Sequence, residues 1–189
     1  MNNRFQEDKA IAALTYLMTL SNNISDKYWL NKVMYYIERE SILQYGEPMF
    51  HDDLYSMRYG PVVSSVNDGI DSTDSRFKAE NKWKNYILLE DKTNTVFLIA
   101  PGDFSLLSDS EIEIITEAYD KYKNYSFSEI MNDFHQLPEY DEIKLNQHPQ
   151  RKPITYEELL LKNDFSPEDP AEIIKEINYS EKMAEPIYG

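Results

Sequence analysis

Cysteine is absent from the chain, so neither a disulfide framework nor a thiolate zinc site can organise it, which fits a reducing compartment. Glycine occurs only five times, at positions 46, 60, 69, 102 and 189. Those spacings match neither a phosphate-cradling loop nor the G-x-G-x-x-G dinucleotide fingerprint. The three histidines, His51, His135 and His148, include no two at ligand spacing and no H-E-x-x-H, so metal catalysis has no sequence support. A G-x-S-x-G elbow is also missing, and no thiol can act as nucleophile. No apolar run approaches the roughly 18 to 20 residues of a membrane-spanning helix, and the opening MNNRFQEDKAIAALTYLM lacks an export signal's charged, apolar and cleavage regions. The expectation is a cytoplasmic, soluble protein with no membrane partner, no metal and no cofactor.

Positive charge is scarce as well. Nineteen Lys and Arg stand against 34 Asp and Glu, a net charge of -15. Residues 1–45 are neutral, 46–80 carry -4, 81–138 carry -5 and 139–189 carry -6. Nucleic-acid binding relies on cations replacing counterions at phosphates, so a chain this acidic is a poor nonspecific DNA or RNA binder. A basic protein partner suits it better, although the charge can also serve solubility alone.

What is present is a 189-residue chain, enough for one core with an appendage, with a hydrophobic fraction of 41% and fifteen tyrosines. Ile11, Leu14, Leu17 and Met18 fall at helical spacing over residues 7–20. Ser25 or Asp26 can cap a second helix whose wide stripe (Trp29, Leu30, Val33, Met34, Tyr36, Ile37, Leu43) ends before Gly46 and marks it as central. Two apolar runs, Tyr86 to Leu89 and Val96 to Ile99, flank the polar EDKTNT as a β-hairpin. Capping boxes Ser108/Glu111, Ser126/Glu129 and Thr155/Glu158 open three later helices, and Asp169-Pro170 starts a last one with Ile173, Ile174 and Ile177. IDSTDSRFKAEN reads as an exposed loop and EYDEIKLNQHPQRKP as a connector. The fold class is mostly α with a small β element (α+β), organised as a domain over 1–145 and an acidic helical extension over 146–189.

The stretch DDLYSMRYGPVVSSVNDGI changes period in its middle. Leu54 to Tyr59 place aromatic and methionine side chains on one side, as a strand requires, whereas Val62, Val63, Val66 and Ile70 recur at helical intervals. Pro61 suits the first position of a helix and Gly60 eases a bend, so the pair reads as a structural strand-to-helix corner. Arg58 and Tyr59 beside the corner are candidates for partner binding, with Asp52, Asp53 and Tyr55. His51, Asp52 and Asp53 form the one imidazole-carboxylate run, but neighbours on an extended chain point apart, which favours a solvated turn over a catalytic or metal site. Carboxylate pairs such as Glu38 and Glu40, or Glu157 and Glu158, read as exposed helix faces rather than an acid and base. Tyr45, Tyr55, Tyr59, Tyr119 and Tyr140, where exposed, would make a binding face.

The series LNKVMYYIERESILQYGEPMFHDDLYSMRYGPVVSSVND, residues 30–68, resembles the Panacea domain, the SocA-like antitoxin family also described as phage-associated GepA-like proteins. Lys32, Val33, Met34 and Tyr35 stand where the family has K-L-x-Y, Gly46 and Pro48 where it has G-x-P, and Tyr59, Gly60, Pro61 and Val62 where it has x-G-P-V. LSDSEIEIITEAYDKYKNYSFSEIMNDFHQLPEY, residues 107–140, is similar to its closing helices, so the likeness spans about residues 7–143. The resemblance implies a helical domain with a small β element that neutralises a toxin encoded beside it by direct binding. Family toxins are diverse and include alarmone-synthetase-like ones that block translation, and one member is an adaptor that delivers its toxin to a protease. Two departures matter. Tyr59 stands where many relatives have histidine, and no DNA-binding helix-turn-helix is evident.

Together these readings lead to a non-enzymatic antitoxin that holds a cognate, basic, translation-targeting toxin. The alternatives are a proteolytic adaptor whose tail over 155–183 meets a protease, and an enzyme using His51 with Asp52 or Asp53.

Overall fold

The helical spacing at the start of the chain forms α1 (Glu7–Leu20), but Ala10, Ala12 and Ala13 are buried together with Ile11, Leu14, Leu17 and Met18, so apolar contact runs most of the way round it. The computed structural model describes residues 4–74, 76, 81–90, 92–146, 148–164 and 169–184, with side chains at 171–178 in the last stretch. A short strand, β1 (Ile24–Asp26), leads straight into α2 (Lys27–Tyr45). Asp26 caps α2 by accepting from Trp29 N at 3.0 Å, and the helix stops at Gly46, whose φ of 70° is left-handed and suits a residue without a Cβ. β2 (Leu54–Met57) and β3 (Gly60–Val63) precede α3 (Ser64–Asp71), and β4 (Ile87–Glu90) and β5 (Thr95–Leu98) form a second hairpin. Then come α4 (Asp109–Tyr122), α5 (Phe127–His135), β6 (Arg151–Ile154), α6 (Tyr156–Lys162) and α7 (Asp169–Ala184). The capping boxes Ser108/Glu111 and Ser126/Glu129 open α4 and α5 as the spacing predicts, and Thr155 caps α6 by accepting from Glu158 N at 3.0 Å.

The strands form two antiparallel three-stranded sheets, ordered β1-β5-β4 and β3-β2-β6. α2 lies between them and packs against α3, α4, α5, α6 and β3. Its buried residues Leu30, Val33, Met34, Tyr35, Ile37 and Ile42 make it the centre of one core shared with α1, β4, α4, α5 and α6. This matches the α+β class and the central helix expected from its wide stripe.

Several local expectations change. Gly60 and Pro61 do not mark a strand-to-helix corner: Gly60–Val63 continues as β3, antiparallel to β2 with Ser56 opposite Pro61, and the helix waits until Ser64. β3 is an edge strand, where proline's missing amide is tolerated. The Asp52 carboxylate decides where α3 begins, accepting from Ser65 N and Val66 N at 3.0 Å each. Residues 151–153, expected as the end of a connector, form β6 with Ile154 on the free edge of β2. The second hairpin pairs Ile87–Glu90 with Thr95–Leu98, one residue off the apolar runs. In the stretch expected as an exposed loop, Ile70, Thr73 and Asp74 are buried, while positions 75 and 77–80 lie outside the described residues, as do 91 in the hairpin loop and 165–168 and 185–189 in the tail.

Candidate functional site

The β2–β3 hairpin turns through Arg58 and Tyr59, and its backbone is held from two sides. The Tyr28 hydroxyl on α2 donates to the Tyr59 carbonyl at 2.7 Å, and the Tyr140 hydroxyl donates to the Met57 carbonyl at 3.1 Å. Gly60 has a φ of 97°, and a Cβ there would lie 3.2 Å from Lys32 Nζ and 3.4 Å from the Phe134 Cβ. The hairpin can therefore sit directly on α2 and α5. The Lys32 ammonium donates to the Pro61 carbonyl at 2.7 Å and lies 5.1 Å from the Tyr28 ring centroid. Two held carbonyls and a glycine contact tie the hairpin tip to the helices beneath it.

Beside this tip is a groove of about 580 Å3, lined by Tyr28, Asn31 and Lys32 of α2, the hairpin residues 57–60, Phe127 of α5 and the segment 143–145. Phe127 packs on Tyr28 at 4.4 Å between ring centroids and stands edge-on to Tyr59 at 6.5 Å. Met57, Tyr59, Phe127 and Leu145 are exposed around the mouth, each at 37% or more. Arg58 lies over the Tyr59 ring at 5.1 Å. Lys27, Lys32, Arg58 and Lys144 all line the groove, and no Asp or Glu does among the described residues, in a chain of charge -15. Lys27 is paired with Asp71, whereas Lys32, 1% exposed, is pushed down from its ordinary value to about 7 by burial. Burial, and then the nearby Lys32, lower His135, which is stacked on Tyr140.

The residues proposed from the sequence separate into two places. Arg58 and Tyr59 stand at the groove mouth. Asp53 and Tyr55 line a different hollow, of about 320 Å3, with Pro153, Ile154 and Tyr156, and the Arg151 guanidinium covers the Tyr55 ring at 4.5 Å. Asp52 is buried, and its carboxylate is occupied by the amides of Asp53, Ser65 and Val66. Burial raises its pKa even so. His51 is buried too, with a φ of 55°, so of the run expected as a solvated turn only Asp53 is exposed. Glu38 likewise departs from its expected exposed face. It is fully buried, accepts from Phe50 N at 3.0 Å and Asp52 N at 3.1 Å, and burial raises it to about 8. Of the other tyrosines, Tyr59 stands at the hairpin tip, Tyr140 reaches the tip's Met57 carbonyl, Tyr45 is exposed at the end of α2, and Tyr119 packs edge-on against Trp29.

Sequence reasoning did not single out Lys32, Asn31, Tyr28 or Phe127 as site residues. Lys32 carried a signal, since it interrupts the apolar stripe of a helix central enough to bury it. Among the described residues no group of three or more His, Cys, Asp or Glu is arranged to hold a metal ion, and no helix is long and apolar enough to cross a membrane.

The family model described as Antitoxin SocA-like, Panacea domain matches residues 30–141, more than half of the chain. The matched span runs from the first turns of α2 through the hairpin to just beyond α5, and so contains Lys32, Arg58, Tyr59 and Phe127. No curated protein and no solved structure matches the chain.

Proposed function

Since the chain belongs to the SocA-like antitoxin, Panacea domain family, we propose that it neutralises a toxin by direct binding and that the toxin docks on the face around the β2–β3 hairpin tip. The observation that carries this reading is the convergence of Met57, Tyr59, Phe127 and Leu145, all exposed, on the rim of one groove that lies largely inside the family-matched span. Large, stiff aromatics on a fixed frame suit interface anchors, because little side-chain freedom is lost when they are covered. The hydroxyls of Tyr28 and Tyr140 hold the tip's carbonyls, so the projection is shaped before any partner arrives. Occupancy of this kind blocks a toxin with no bond made or broken by the antitoxin. The net charge of -15 would draw a basic toxin toward the chain as a whole, while the contact itself rests on the apolar rim and not on the cations of the groove.

The test is co-expression with the product of the neighbouring open reading frame, scoring growth rescue and complex formation. Tyr59→Ala with Phe127→Ala should weaken the complex by roughly a hundredfold, given the usual cost of truncating two anchors, and should leave thermal stability nearly unchanged. An undiminished complex in the double variant places docking elsewhere. Neither complex nor rescue in the wild type removes the antitoxin reading.

A further inference from the structure

Lys32 sits on the groove floor with one hydrogen-bond acceptor, the Pro61 carbonyl, and the face of Tyr28. An ammonium has three donors, and a cation withdrawn from water is costly unless its donors and charge are matched. No carboxylate forms an ion pair with it among the described residues, and burial is the cause of its lowered pKa. The next residue, Asn31, is 4% exposed and donates its Nδ2 to the Lys27 carbonyl at 3.1 Å, while its Oδ1 is buried without a hydrogen-bond partner. Two neighbouring side chains lining one cavity are thus incompletely satisfied, one lacking acceptors and the other lacking a donor. The cavity volume of about 580 Å3 falls in the small-ligand range of about 300–1,000 Å3.

We propose that this groove binds a small organic anion: its phosphate or carboxylate on the Lys32 ammonium with Arg58 at the mouth, a donor group on Asn31 Oδ1, and a flat apolar body against Tyr59 and Phe127. Bound anion supplies the counter-charge that Lys32 lacks, and with Arg58 at the mouth and no Asp or Glu among the described lining residues the groove is a place on this acidic chain where an anion is welcome. An acidic segment of another protein would match Lys32 as well, but it would bring further negative charge against a surface of the same sign. The proposal does not rest on toxin docking at the rim. Tyr59 and Phe127 would touch either occupant, so the ligand is read at Lys32 and Asn31 on the groove floor and the toxin by its complex with the chain.

The test is calorimetric titration of the full chain with adenosine monophosphate, 4-hydroxyphenylacetate, inorganic phosphate and a short oligoglutamate. We expect one of the two ring-bearing anions to bind one to one, at least about tenfold more tightly than phosphate, with the preferred one telling phosphate from carboxylate. Lys32→Met should lose at least about tenfold in affinity, and the Lys32 side-chain NMR shift should titrate at higher pH when ligand is bound. The NMR measurement uses the wild type, so it decides the matter even if Lys32→Met fails to fold. Lys27, Arg58 and Lys144 of the groove, with Tyr28, Tyr59, His135 and Tyr140, are the other titratable or charged groups around this lysine and the hairpin, and following Lys32 itself separates it from them. Binding that is equal in Lys32→Met, an unmoved Lys32 titration, no saturation by either ring-bearing anion, or binding of oligoglutamate alone would each overturn the proposal.

Discussion

Arg39 Nε donates to Glu139 Oε1 at 2.7 Å, and both side chains are buried where α2 meets the turn after α5. Tyr35 donates to the same oxygen at 2.9 Å, and Asn163 Nδ2 just beyond α6 donates to Oε2 at 3.0 Å. Glu139 therefore joins the central helix to the C-terminal part of the chain. Its Ala variant leaves Arg39 Nε and the Tyr35 hydroxyl without their acceptor while Arg39 keeps Glu40 at 2.6 Å, and should lose about 2–4 kcal/mol in urea unfolding. Burial pushes the Glu139 carboxyl up, but the contacts with Arg39 and Asn163 outweigh it and hold the group below its ordinary 4.5. Its contribution is thus present above about pH 4.5 and lost as pH falls through the depressed value, so Glu139→Gln should flatten the acid limb of the stability profile.

Asp52→Ala tests whether that carboxylate is architecture. It accepts from three amides, two of them at the start of α3. Losing a cap costs about 1–2 kcal/mol, and leaving amides buried adds to it. A matching fall in unfolding free energy, with toxin affinity of the folded fraction unchanged, is the expected result. An unaltered stability with lost affinity would return Asp52 to the interface.

Gly60→Ala should destabilise by roughly 1 kcal/mol or more, because φ is positive and the added Cβ would crowd Lys32. Lys32 is a flexible side chain but also a groove residue, so the same variant should disturb the groove. Thermal denaturation together with the NMR shifts of Lys32 and Phe134 would register both effects.

Lys32→Met changes how stability depends on pH. The folded state holds Lys32 near 7 against an ordinary 10.5, so the unfolded chain binds more protons between those values and wild-type stability gains as pH rises through them. The advantage of Lys32→Met over wild type should be largest at or below about pH 7 and shrink by about 4 kcal/mol toward pH 10.5. Glu38 acts with opposite sign, its stabilising protonated form being lost as pH rises through about 8, and it cancels in this comparison. Urea melts at about pH 6 and pH 9 suffice, and a constant difference would show an unperturbed lysine.

Truncation separates the C-terminal elements. Ending the chain at residue 150 removes β6, the buried Leu159 and Leu160, and Asn163, and should cost roughly 4 kcal/mol or more from the two leucines alone. Ending it at 164 removes α7, with the buried Ile177, and should lower the melting temperature by a few degrees only. Circular dichroism melts of the two truncated chains give the comparison.

The helices were legible because each carries its own local signals: the stripe of α2 ends at a glycine, and Ser108/Glu111 and Ser126/Glu129 reproduce their capping boxes. The strands were less so. β1 has three residues, and β6 pairs with a partner about a hundred positions earlier, so neither offers a periodicity to count. Arg58 and Tyr59 were singled out as binding candidates from their place beside Gly60-Pro61, although the turn they make is a hairpin and not a strand-to-helix corner. Composition and local pattern alone determined the α+β class, the acidity, the central helix and the ordered series shared with the Panacea family. Only the tertiary structure decided that Asp52 and Glu38 are structural carboxylates, that residues 151–163 complete a sheet and a core, and that Lys32 lies under the hairpin in a groove of cations. Each of these depends on distant amides, carbonyls and rings arriving at one place, and the burial that fixes a charge's role is a property of the assembled neighbours rather than of the residues beside it in the chain.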